Sequence, residues 1–206
     1  MNLIAKYFTS LNNDQLQKLE TLYSIYSQWN SKINLISRKD IDYFYLHHVL
    51  HSLSIAKFYQ FKSGSRVMDV GTGGGFPGIP LSILFPKVNF HLVDSIGKKI
   101  RVIEAVKKEL NLKNVQMYND RMENIDLTVD FVVCRAVAPM KTLVKWIGGN
   151  ISRNHGLGMK NGLICLKGGD LSEELKEIKL KEIIKLNTFF QESFFETKKL
   201  VYVPFN

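Results

Sequence analysis

The sequence predicts an α/β fold, a mostly parallel sheet covered by helices on both faces and preceded by a helical extension. Three observations predict it. From residue 66 onward, short apolar runs alternate with amphipathic stretches, the pattern of parallel strands joined by crossover helices. Between the first run and the first of those helices lies the glycine-rich turn "DVGTGGGFPG". The first sixty residues carry helical periodicity instead.

In "DQLQKLETLYSIYSQWN", Leu16, Leu19, Leu22, Tyr23, Tyr26 and Trp29 recur mostly at three- and four-residue steps, one apolar stripe on a helix. A break follows at "SKINLIS", and Ser37 with Asp40 forms a candidate capping box ahead of "IDYFYLHHVLHSLSIAKFY". The runs "RVMDV" and "VNFHLVD" read as buried strands, with a helix between them that begins near Pro77 and ends before Pro86. The next helix, "GKKIRVIEAVKKELN", puts Ile100, Ile103, Val106 and Leu110 on one face and lysines on the other. Strands "NVQMY" and "DFVVCRA", helix "PMKTLVKWIG", strand "GLICLKG" and an acidic–basic helix "LSEELKEIKLK" follow. The tail closes with two β-like runs, "IIKLNTFF" and "KKLVYVPF", which suit a hairpin. Residues 148–162 are expected as a loop on the substrate side. There are no internal repeats or low-complexity tracts. The organisation is thus a helical extension over 1–62 and a main domain over 63–206, as one structural unit.

The bulk properties bound the function. The chain has 206 residues, enough for one domain with a sizeable core, and its 45% apolar and 23% charged residues are ordinary for a globular protein. No apolar run approaches the ~20 residues that cross a bilayer, and "MNLIAKYFTSLNNDQ" has none of the marks of a signal peptide. Cys134 and Cys165 sit inside apolar runs and read as buried free thiols in a reducing cytoplasm. The net charge of +9 fits a polyanionic partner such as nucleic acid. It equally fits scattered surface lysines, so charge supports a nucleic-acid hypothesis without creating one.

The glycine-rich turn carries the chemistry. In such a sheet, ligands bind beyond the carboxyl ends of the strands, which is where Gly71, Gly73, Gly74 and Gly75 fall. Gly73, Gly75 and Gly78 satisfy the dinucleotide pattern G-x-G-x-x-G, a weak signal alone. Asp69 argues against a dinucleotide, because a carboxylate two residues before the first glycine would repel a pyrophosphate. S-adenosylmethionine brings no phosphate to this turn; it brings an ammonium and a sulfonium, which suit an acid. Asp94 closes the second strand, where an acid can accept from both ribose hydroxyls of either cofactor. The electrostatics therefore favour S-adenosylmethionine, and with it a methyltransferase.

The acceptor is harder to read. Enzymes that methylate exocyclic amines commonly carry an Asn/Asp-Pro-Pro-aromatic turn after the fourth strand, whereas this chain has "VCRAVAPM". Cys134 reads as part of the strand, not as the nucleophile that carbon-5 methylation of a pyrimidine needs. A ring nitrogen with a free lone pair, such as guanine N7, has no proton to lose, so no catalytic base is expected. His47 and His51 stand four apart with His48 between them, but no third metal ligand is evident and no metal is expected. Arg135, just past the fourth strand, suits a ligand or phosphate contact at the site rim. Asp120 and Glu123 follow the third strand, where acids meet an adenine amino group or simply cap a helix.

"WNSKINLIS", "HHVLHSL", "DVGTGGGFPGIPLSILFP", "LVDSIGKKIRVIEAV" and "CRAVAP", in this order, resemble the glucose-inhibited division protein B family. The resemblance implies a class I, Rossmann-like, S-adenosylmethionine-dependent fold with a seven-stranded sheet. It also implies methylation of guanine N7 in 16S ribosomal RNA near the decoding region. The family's cofactor contacts fall on Gly71, Phe76, Met122, Glu123 and Arg135. These join Asp69, Gly73, Gly75 and Asp94 from the residue-level reading. One departure stands out: the family's usual His-x-x-Asp-Ser is His48-Val-Leu-His51-Ser52 here. The implied partner is 16S rRNA or the small ribosomal subunit, with the enzyme a cytoplasmic monomer away from membranes. A small-molecule methyltransferase and a non-catalytic RNA-binding protein on the same fold are the alternatives.

Overall fold

The structure, a computed structural model, describes residues 2–37, 39–155 and 158–205. The extension starts with a short helix α1 (Asn2–Tyr7) and then α2 (Asn13–Asn30). Asn12 caps α2: its side chain accepts from the Gln15 amide at 2.9 Å, while the Gln15 side chain accepts from the Asn12 amide at 3.1 Å. The Gln15 amide group also donates to the carbonyls of Ile83 and Leu84, tying the extension to the main domain.

The capping box expected from Ser37 and Asp40 does not form. Asp40 makes no cap bond, because its carboxylate is engaged by His47 and His48. The chain enters instead through a 3₁₀ turn (Ile41–Tyr43) and a seven-residue π-helix (Phe44–Leu50), and becomes regular only in α3 (His51–Phe58). Wide π turns often accompany functional sites.

The main domain follows as β1 (Arg66–Val70), α4 (Gly78–Leu84), β2 (Asn89–Val93), α5 (Gly97–Glu109) and β3 (Val115–Tyr118). Next come β4 (Phe131–Arg135), α6 (Met140–Ile147), β5 (Gly162–Gly168), β6 (Glu182–Lys185) and β7 (Lys198–Pro204). The seven strands lie in the order β3-β2-β1-β4-β5-β7-β6, and only β7 runs antiparallel to its neighbours. The order reverses between β1 and β4, the switch point at which such sheets bind ligands.

Alternation along the strands splits the core. Val67 and Phe90 face a cluster with Leu22, Tyr26 and Ile79, so the extension shares this core. Met68, Val132, Cys134 and Cys165 face α6 on the other side. The two cysteines are free, fully buried register partners with sulfurs 2.6 Å apart. Their mutual hydrogen bond and burial push the Cys134 thiol well up, which suits a structural residue and not a nucleophile.

Two expectations are corrected. The helix over "LSEELKEIKLK" is absent: 172–177 form turns. Leu171 and Leu175 are buried, and Glu174 is drawn away to accept from the Met140 amide and the Lys167 ammonium. The loop 148–162, of which 156 and 157 lie outside the described residues, is not on the substrate side. Ile151 bridges to Val129 and the segment leads into Gly162, the first residue of β5, so it lies at the amino ends of the strands. A helix returning to a parallel strand must deliver the chain to that end.

Candidate cofactor and acceptor site

The glycine-rich loop is held from below. Asp69, fully buried, accepts through Oδ2 from Thr72 Oγ1 at 2.6 Å and from the Gly78 amide at 2.7 Å. Its Oδ1 has no partner and is sealed from solvent. Burial raises its carboxyl to about 7, against the lowering effect of those two hydrogen bonds. The sequence reading puts Asp69 against a cofactor ammonium; in the fold it lies beneath the loop and lines none of the site clefts. From above, Tyr26 of the extension donates its hydroxyl to the Gly74 carbonyl, and its ring packs 4.9 Å from Phe76.

Glycine is required at two points of the turn. Gly71 (φ +61°) would place a Cβ 2.7 Å from Val137, and Gly75 (φ +96°) would place one 2.6 Å from Ile79. Gly73, also at positive φ, faces open space. Asp94 closes the loop's far side, accepting from the amides of Gly73 and Ile96 at 2.9 Å each, with the Lys99 ammonium 3.6 Å away.

Three clefts open at the carboxyl ends of the strands. The first, about 430 Å³, brings together Gly71, Asp94, Asp120, Met122 and Glu123 with Trp146. The second, about 230 Å³, is lined by Gly71, Gly73, Phe76, His48 and Arg135. The third, about 390 Å³, lies beyond Arg135 among His47, His48, His51, Phe194 and Lys198. Ala136 borders all three. It is one of two non-glycine residues at positive φ (+52°) among those described, a strained position of the kind found at functional sites. The sequence reading missed it; the only signal was a run of small residues after the fourth strand, "RAVAP".

Arg135 lines the second and third clefts and is partly buried there. Its guanidinium donates to the His47 carbonyl and to His48 Nδ1, both at 3.0 Å, and lies over Phe76 at 5.3 Å. Burial lowers its pKa to about 10. Because a guanidinium only donates, His48 Nδ1 is an acceptor, and Nε2 carries the proton donated to Asp40 at 2.7 Å. His48 is therefore neutral, and burial with the Arg135 charge lowers its pKa to about 4. Asp40 also holds His47 Nδ1 at 2.5 Å. The chain Arg135–His48–Asp40–His47 joins β4 to the extension.

Residues 15–200 match the family model described as rRNA small subunit methyltransferase G. The chain belongs to this family. The family's protein from Bacteroides thetaiotaomicron is 55% identical, with 98% of each chain covered. That from Christiangramia forsetii is 52% identical, with 99% of this chain and 97% of that one covered. The fold is also that of a SAM-dependent methyltransferase from Aquifex aeolicus (TM-score 0.53, 18% identity, 73% of this chain and 87% of that one). A precorrin-6y C5,15-methyltransferase from Geobacter metallireducens shares it too (TM-score 0.56, 11% identity, 84% and 92% covered). For a small subunit methyltransferase G the cofactor is S-adenosylmethionine, and the first cleft fits it. On its lining Asp94, Asp120 and Glu123 outnumber Lys99 and Arg121, which suits a cationic nucleoside better than a pyrophosphate.

Proposed function

We propose that the enzyme transfers a methyl group from S-adenosylmethionine to N7 of one guanosine in 16S rRNA near the decoding region. The observation that carries this reading is the meeting of three clefts at Ala136: a nucleoside-sized cleft of about 430 Å³ on one side and a cavity of about 390 Å³ on the other, with Ala136 the lining residue they share. When bound, S-adenosylmethionine supplies a methyl group activated by its sulfonium. The protein's task is alignment, which can itself supply a large part of the acceleration. In this reading Gly71, Gly73 and Gly75 let the backbone approach the cofactor, and Asp94 accepts from its ribose. Met122 and Glu123 meet its adenine, while Phe76 and Arg135 form the wall towards the acceptor. Asp69 supports the loop from beneath.

Two titratable groups at the junction, His48 and Asp40, fit a ring nitrogen as acceptor. His48 has its free lone pair occupied by Arg135, and Asp40 is held by two histidines. Neither is free to take a proton, and N7 has none to give. The reading carries with it a monomer working in the cytoplasm, with 1–62 as an extension of the catalytic part 63–206; among the described residues no helix is long and apolar enough to cross a membrane.

The test uses small subunits and ribosomal RNA from cells lacking this activity, incubated with purified protein and methyl-labelled S-adenosylmethionine. Cleavage at N7-methylguanine should map the label to one guanosine near the decoding site. Rates should fall steeply with salt, as phosphate contacts release counterions. Turnover of a small molecule without RNA would replace this reading.

A further inference from the structure

Three buried side-chain polar atoms among the described residues lack a partner: His51 Nε2, Asp69 Oδ1 and His91 Nε2. Only His51 borders a site cleft, the third one beyond Arg135. It is 6% exposed, at the start of α3, so the orphaned nitrogen faces protein and cavity. An unmet buried hydrogen-bonding atom is destabilising, and an occupant of the cavity would relieve it.

The walls specify that occupant. Phe194 stands edge-on to His51 with ring centres 5.4 Å apart, and stacks on His47 at 4.2 Å. Leu166 and Gly168 bring in the end of β5, and Ala136 opens the cavity towards the first cleft. A planar aromatic group with a hydrogen-bonding edge fits these walls. The lining sets Arg135, Lys167 and Lys198 against Asp40, but Arg135 is held by His47 and His48, Lys167 by Glu174 and Ala138, and Lys198 lies over the Phe194 ring, so these cations already have partners. Enzymes that modify a base extrude it and read its edge by hydrogen bonds beside aromatic rings.

We propose that this cavity takes the extruded acceptor purine, and that His51 Nε2 hydrogen-bonds the six-membered-ring edge, opposite the nitrogen to be methylated. His51 is then a specificity-determining residue. The inference rests on the base-methyltransferase reading above and names where that base sits.

The experiment compares wild type, His51→Leu and His51→Gln on unmethylated small subunits, measuring kcat/KM for methylation and, by calorimetry, S-adenosylmethionine affinity. His51→Leu should lose about tenfold or more in kcat/KM, the value of one hydrogen bond of ~1.4 kcal/mol. His51→Gln should recover most of the loss, and cofactor affinity should stay within twofold in both. Undiminished methylation by His51→Leu would overturn the proposal. So would a parallel fall in cofactor affinity, which marks a structural role. Should His51→Leu fail to fold, Phe194→Ala on the facing wall decides: a raised KM for the subunit supports the cavity, an unchanged one removes it. Wild-type protein that binds cofactor but labels no RNA would instead remove the function reading itself.

Discussion

The two sides of the site are built differently. The cofactor side, at the ends of β1 and β2, is made of backbone: positive-φ glycines, two amides on Asp94 and two donors on Asp69. These loop residues are close in sequence, while Asp120, Met122 and Glu123 of the same cleft follow the third strand. The acceptor side, at the ends of β4 and β5, is made of side chains brought from far apart in sequence, with Arg135 meeting His48 across 87 positions. A backbone-built site needs particular residue types at fixed spacing and so leaves a motif. A side-chain-built site needs only that the fold bring suitable groups together.

Substitutions on each side can break this contrast. The largest effect is expected from Gly75→Val: strain of about 1–3 kcal/mol at positive φ adds to the clash with Ile79. Calorimetry should detect no cofactor binding. Arg135→Lys should lower kcat on RNA by ~10–100-fold while leaving cofactor affinity within a few-fold, because a lysine cannot reproduce the fork that holds His47 and His48. An equal loss in both would show that the two sides are not separable. Asp94→Ala should weaken cofactor binding by roughly tenfold or more, from lost hydrogen bonds to a charged acceptor; unchanged affinity would remove its assignment.

Asp69→Asn sharpens the contrast further. If Asp69 only supports the loop, the amide oxygen can still accept from Thr72 and Gly78, and cofactor affinity should change by no more than ~3-fold. A loss above tenfold would restore direct contact with the ammonium. The variant also has a signature in stability. The carboxyl is raised from 3.8 to about 7 in the fold, so its contribution is fully present below pH 4 and is lost as pH rises to 7, where the unfolded chain ionises and the folded one resists. Urea titrations should show this decline in wild type and a flatter profile in Asp69→Asn. The smallest effect is expected from Tyr26→Phe, which removes one hydrogen bond to the Gly74 carbonyl: about 1 kcal/mol of stability and a slight loss of cofactor affinity.

Much of the molecule is legible without its fold. Strand alternation fixes the two core faces, and the Asn12–Gln15 capping box starts α2 by local chemistry alone. The misread pieces share a cause. Asp40 leaves its expected cap for two histidines, and Glu174 leaves a helix to bind Met140 and Lys167. In each, a tertiary contact outweighs a local preference of a few tenths to about 1 kcal/mol.

By itself, then, the sequence determined the parallel sheet, the glycine-rich turn and the acid at Asp94, because periodicity, positive φ and spacing act over a few residues. Only the tertiary structure decided that Asp69 works from below, that Arg135 is covered by the extension, and that His51 is left facing a cavity. Those outcomes depend on desolvation and on partners from distant strands and helices, and neither is defined until the chain has packed.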